Sequence, residues 1–445
     1  MKNKFISKAS LAITIIFVLS ITIKSWAIPS FARQTGMSCN TCHTIFPELN
    51  AFGRQFKLNG YTLVGIPTVL AQSDSETTIL SLVKTSPFSA MMQASYTYKS
   101  KEQPGTLNGN FSFPQQLSLF IAGALTPKMG AFMQITYNDQ SGTLGIDNTD
   151  IRYADQTELA NQSFTYGITF NNNPSVQDIW NSTPAWKFPY ASSSTSPTPS
   201  AATLIQGGLA QKVAGLGLYS LWNNLLYTEV SLYKSAQQGH VNPPDSTSVG
   251  VLKSLAPYWR VALQQQFDDF YLEVGTFGLS AAMYPAGIVG LTDQYTDLGF
   301  DLNFEKAIGN NMFTAHGSYI HESRSLDASV AKGGAFNTSG KLNSLQIAGN
   351  YYLHSQIGFS LGYFSLSGDG DAILYAPAGV TGSLNGLPDS NGFTAEFNYL
   401  PWLNTKLSVQ YVAYNKFNGN SSNYDGQGRN ASDNNTLYLL CWIAF

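Results

Sequence analysis

The sequence predicts an all-β protein: a transmembrane antiparallel β-barrel of about sixteen strands, preceded by a small helical segment. Three observations carry this. From Phe88 onward, apolar and polar residues alternate with period two, in runs bounded by Gly, Pro, Asn, Asp and Ser. The connections between the runs are short and long in turn. Only 11% of residues are charged and 13% are aromatic, where about 25% charged is usual for a soluble domain.

The runs read as strands with one apolar, aromatic face and one neutral, polar face that is seldom charged. MMQASYTY sets Met92, Ala94, Tyr96 and Tyr98 against Gln93, Ser95 and Thr97. FMQITY sets Met133, Ile135 and Tyr137 against Gln134 and Thr136, and KLSVQYVAY sets Leu407, Val409 and Tyr411 against Ser408 and Gln410. About sixteen runs lie near 88–99, 114–125, 131–138, 148–154, 162–171, 204–213, 216–234, 257–267, 270–280, 295–305, 312–322, 343–353, 357–367, 392–400, 405–416 and 436–445. TPKMG, AGLG, FDDF, HSQI and PWLNT read as short turns. The segments near 172–203, 235–256, 322–342, 367–391 and 415–435 read as long loops. Short turns on one side and long loops on the other match an outer-membrane barrel. Closure has a physical cause: in lipid an open sheet edge would leave a row of amides unpaired.

The final residues TLYLLCWIAF put Leu437, Leu439, Cys441, Ile443 and Phe445 on one face. This resembles the C-terminal strand of bacterial outer-membrane proteins. No period of 20 to 50 residues repeats, which argues against solenoids and propellers. A chain that enters and leaves the barrel on the periplasmic side needs an even number of strands.

The N-terminus reads as an export signal over residues 1–27: Lys2 and Lys4, an apolar core from Leu11 to Ile23, and Ser25-Trp26-Ala27 as cleavage site. No later apolar stretch is long enough for a spanning helix. A net charge of −3 gives no indication of nucleic-acid binding. Of three cysteines, two belong to one motif and Cys441 stands alone, so no disulfide framework is expected. Residues 28–85 then form a plug domain and residues 86–445 the barrel.

Residues 39–43 read CNTCH, a CxxCH motif. Covalent attachment of one haem c needs two thiols for the vinyl groups and a histidine placed by the same turn to bind iron. That assigns Cys39 and Cys42 to attachment and His43 to the proximal position. A zinc site would need further ligands, which residues 28–85 lack. The sixth ligand is open. Met37 sits beside Cys39 on the attachment side, so the candidates are Met91 or Met92, one of which alternation turns inward, and His316 on the polar face of its strand. His240 and His321 read as loop residues and His354 as part of a turn.

FPELNAFGRQFKLNGY, after the motif, reads as a helix opening at Pro47. Leu49, Phe52 and Phe56 share a face that could pack on the haem, and Arg54 and Lys57 could pair with its propionates. The segment is too short for a core of its own without a cofactor or the barrel wall.

FARQTG before the motif and FPELNAFGRQFKLNGY after it closely resemble the N-terminus of the fused monohaem cytochrome–porins, outer-membrane iron oxidases of iron-oxidising bacteria. The resemblance covers about residues 29 to 61. It implies that Cys39 and Cys42 attach the haem, that His43 is its proximal ligand, and that electrons pass from extracellular Fe(II) to a periplasmic cytochrome or other electron carrier. The alternative is a porin-like transport or sensing protein whose haem plug gates the pore, or a conduit for another donor. The expected low charge of the lumen favours the conduit, since diffusion pores carry charged constrictions.

Overall fold

A computed structural model of the chain describes residues 30–63, 68–72, 79–236 and 241–445. The expected signal peptide and His240 lie outside the described residues. The barrel strands are β1 (Phe88–Lys99), β2 (Asn110–Thr126), β3 (Met129–Asn138), β4 (Thr143–Leu159), β5 (Gln162–Asn171), β6 (Val213–Trp222), β7 (Leu226–Ser235) and β8 (Ala256–Gln266). They continue as β9 (Tyr271–Tyr284), β10 (Asp293–Ile308), β11 (Asn311–Ser325), β12 (Ser339–Leu353), β13 (Ile357–Gly368), β14 (Ser390–Trp402), β15 (Thr405–Lys416) and β16 (Thr436–Ala444). The sheet holds 17 strands, one of them the two-residue Val251–Leu252 ladder on the end of β9. The other sixteen pair antiparallel in chain order, and β16 returns to β1 with Cys441 opposite Ala94. Among the described residues the barrel sheet therefore closes on itself, as a lipid environment demands.

The short turns cluster at one end. Ala160–Asn161, Asn223–Asn224 and His354–Ser355 all take positive φ, from 49° to 61°, the backbone sense that matches the twist of a tight hairpin. Both ends of the barrel chain, Phe88 and Ala444, lie at this end, the periplasmic side in barrels of this kind. Outward residues such as Leu216, Leu218, Phe300, Phe359 and Leu361 are exposed, as a lipid-facing band requires.

Inward positions of the barrel hold large aromatics, accommodated by glycines opposite. A Cβ on Gly215 would sit 2.2 Å from the Tyr233 ring, and one on Gly167 would sit 2.3 Å from that of Tyr219. Either contact is far inside van der Waals distance, so a side chain at either position would have to displace the facing ring.

The structure corrects several strand and loop assignments. Residues 216–234 form two strands, β6 and β7, joined at Asn223–Asn224; Ala214–Gly217 is strand and not a turn. Residues 204–213 lie in the connection between β5 and β6, except Val213, which opens β6. The two errors cancel in the count of sixteen. Their cause is common: the connection 172–212 folds into the lumen, so Ile205 and Leu209 pack in a buried cluster with Tyr258 and Phe277. Their apolar spacing reflects that core. His321 lies within β11, not in a loop.

The infolded connection is bonded to the wall. The Trp180 indole donates to Tyr271 at 2.7 Å, Arg260 donates to Asp178 at 2.8 Å, and the Ile205 amide donates to Asp297 at 2.7 Å. The inward face of β8–β11 is consequently rich in charge: Arg260, Glu273, Asp297, Asp301, Glu305 and Glu322 are all buried. The expectation of a lumen with little charge does not hold on this wall. Buried charges need partners, and the infolded segments supply them.

Candidate functional site

Three short helices form the N-terminal plug: α1 (Ser30–Thr35), α2 (Cys39–Cys42) and α3 (Ala51–Leu58). α3 opens at Ala51, four residues later than Pro47, because the Asn50 side chain caps it, accepting from the Gly53 amide at 3.0 Å. Residues 43–50 instead form a tight loop, in which the Asn50 amide donates to the Cys42 carbonyl at 2.9 Å. Gly53 lets α3 close on α2; a Cβ there would sit 2.1 Å from the Cys42 carbonyl oxygen.

Cys39, Cys42 and His43 line a cavity of about 510 Å³ between the plug, the infolded connection and the inner wall. This volume falls in the range of small-molecule and cofactor sites. Both cysteines are free and half-buried. Burial, with Cys39 adding to it, pushes the Cys42 thiol up to about 11. The His43 Nδ1 lies 3.1 Å from the Pro47 carbonyl oxygen. A carbonyl can only accept, so Nδ1 carries the proton and Nε2 is left with a free lone pair, the arrangement of a ligating histidine. Phe46 meets the His43 ring edge-on at 5.6 Å. The cavity walls are mostly apolar, with Phe52, Phe56, Phe120 and Phe132 among them.

The sequence-predicted ligands separate. Met91 is buried, faces inward and lines this cavity; it packs in one cluster with Phe46 and Trp442. Met92, paired with Leu117 and Ile443, belongs to the outward face and does not line it. His316 does face inward and is buried, with its Nδ1 unpartnered, but it lies outside this cavity. Met37 also lines it.

Of the two expected propionate partners, Lys57 lines the cavity and Arg54 does not. Arg54 is buried in an ion pair with Glu305 of β10, its guanidinium 4.2 Å from the Tyr271 ring centroid, and it does not line the cavity. The Lys57 ammonium donates to the carbonyls of Val176 and Asp178 at 2.8 and 2.7 Å. Burial pushes Lys57 down to about 7, and the Arg152 guanidinium adds to this. Sequence reasoning missed Lys187, on the infolded connection, which lines the cavity. Burial lowers it to about 8. No local pattern marks Lys187; only the path of the connection brings it there.

The plug is tied to opposite sides of the barrel. Tyr61 donates to Asp150 of β4 at 2.7 Å, Tyr352 of β12 donates to Glu48 at 2.6 Å, and Gln34 donates to the Ala122 carbonyl of β2 at 2.8 Å. Among the described residues, no group of three or more His, Cys, Asp or Glu side chains is arranged to hold a metal ion. Removing one partner of a buried pair leaves an uncompensated charge. Arg54→Ala should therefore lower stability by about 3–5 kcal/mol, and the paired variant Arg54→Met, Glu305→Met should recover much of it, read from urea unfolding in detergent.

A closed sixteen-strand barrel with an apolar outer band and a lumen crossed by a plug and an infolded loop defines a porin-like β-barrel of the bacterial outer membrane. Solved structures of similar fold include the outer membrane channel DcaP of Acinetobacter baumannii (14% identity, 80% of this chain and 96% of that chain, TM-score 0.44). Others are outer-membrane expressed OmpT of Vibrio cholerae (10%, 85% and 100%, TM-score 0.43) and the anion-selective porin from Comamonas acidovorans (10%, 80% and 98%, TM-score 0.45). No protein-family model and no curated protein matches the sequence.

Proposed function

We propose that this barrel is an outer-membrane electron conduit, an oxidoreductase that takes electrons from extracellular Fe(II) and delivers them to a periplasmic cytochrome or other carrier. The observation that supports it is the convergence of Cys39, Cys42, His43 and Met91 on one cavity inside a plugged barrel. Cys39 and Cys42 would attach one haem c, His43 would bind its iron through Nε2, and Met91 is the barrel residue offered as distal ligand. The haem would supply a one-electron ferric–ferrous couple. Phe52 and Phe56 would pack against the macrocycle and exclude water. Lys187 and Lys57 both line the cavity and would offer cations to the propionates, while Arg54 is held by Glu305. Ser89, Ala90 and Ala444, near the periplasmic end, also line the cavity, which suits hand-over to a carrier docking there.

Oxidised protein mixed with Fe(II), without mediator, should show ferrous-haem absorption bands within the mixing experiment. A spectrum that dithionite changes and Fe(II) does not would remove iron as donor.

A second reading is a porin-like transport or sensing protein gated by the plug. The charged inner wall of β8–β11 favours it, because such walls select ions in diffusion pores. Purified protein in planar bilayers separates the two. The conduit should pass no steady ionic current, whereas a gated porin should conduct when the plug is displaced.

A further inference from the structure

The cavity extends beyond the motif. Along β2 it runs from Ala122, near the short turns, to Gln116, which pairs with Asn138 at the start of a loop on the opposite side. The two positions are six steps apart along the strand, roughly 20 Å at about 3.3 Å per residue. The far arm is polar where the near part is apolar. Gln116, Gln134, Asp147 and Asn148 line it. A hydrogen-bonded ladder stands behind them: Gln134 donates to Ser118 at 3.0 Å and Thr136 donates to Asp147 at 3.0 Å. Asp147 also accepts from Gln211 at 3.1 Å and from the Asn148 amide at 2.8 Å. It is the only acidic residue lining the cavity among the described residues, and no lysine or arginine forms an ion pair with it there.

We propose that this polar arm is an inlet through which a small hydrated cation enters the lumen from the loop side, with Asp147 as the residue that draws it in. The inlet deepens the conduit reading and rests on it for the identity of the donor. An electron need not cross the whole membrane band, about 25 Å tall, if the donor itself travels down the arm. Among the residues of this arm Asp147 is the charged one, Lys57 and Lys187 lining the cavity outside that set, and a carboxylate in a concave passage raises the local concentration of cations. Transfer from a cation held in the arm would be outer-sphere: one electron would pass from the cation to the haem couple, with no bond or proton moving.

Two readouts test this on the haem-loaded full chain. The first is stopped-flow haem reduction by hexaammineruthenium(II), a small cation, beside a neutral quinol. Asp147→Asn keeps the hydrogen-bonding shape and removes the charge. It should slow the ruthenium reaction about 3- to 10-fold, leave the quinol rate unchanged, and lose the effect at high salt. The second is independent of electron transfer: crystals soaked in Mn(II) should show anomalous density beside Asp147 that disappears in Asp147→Asn. Equal ruthenium rates in parent and variant, or Mn(II) density that persists in the variant, overturns the inlet. Reduction by ruthenium but not by aqueous Fe(II) would overturn iron as donor while the inlet stands. Were the parent to carry no haem, the attachment reading would fail and the Mn(II) density alone would decide the inlet.

Discussion

Replacing Cys39 and Cys42 together by alanine is expected to abolish covalent haem, seen as complete loss of haem staining on a denaturing gel. Each thiol would form one thioether, and with neither present no covalent link would survive denaturation. The variant should still assemble as a barrel. All sixteen strands pair with one another and none depends on a plug residue for its ladder, so heat-modifiable migration should match the parent. Staining that persists in the double variant would refute the attachment site. Loss of the folded band would instead show that plug and barrel fold as one unit.

Met91→Ala should convert a low-spin haem spectrum to high-spin and lower the midpoint potential by on the order of 0.1 V or more, within the ~0.8 V that axial ligation spans. Met92→Ala and His316→Ala should leave both unchanged. The contrast between Met91 and Met92 is the sharp part, because the two residues are adjacent and chemically identical. Only the pleat separates them: Met91 lines the cavity and Met92 belongs to the outward face. If Met91→Ala keeps the parent spectrum and potential, another group ligates the iron, and Met37 in the same cavity is the next to replace.

Much of the architecture is legible in the sequence because a strand writes itself into adjacent residues. One face meets lipid and the other the lumen, so the period of two survives even in β16, where Leu437, Leu439 and Ile443 alternate with Tyr438, Leu440 and Trp442. Alternating turn lengths follow from the same geometry, and the CxxCH is a local motif whose chemistry needs only one helical turn. The inward aim of His316 and of one residue of the Met91–Met92 pair was likewise readable from alternation alone.

What only the tertiary structure decided are the partners of residues far apart in the chain. Arg54 and Lys57 have the right sign for propionates, yet Arg54 meets Glu305, 251 positions away, and Lys57 meets two carbonyls of the infolded connection. The connection 172–212 reads as an external loop followed by a strand because composition reports burial and period but not location. A segment folded into a lumen acquires the apolar spacing of a core without any ladder. The same fold-back brings Lys187 to the cavity, and the closure of β2 on β3 and β4 sets Asp147 at its far end. Local periodicity is a property of neighbours along the chain, and the sequence determines it. A cavity is defined by surfaces drawn from separate segments, and it exists only once the barrel has closed around them.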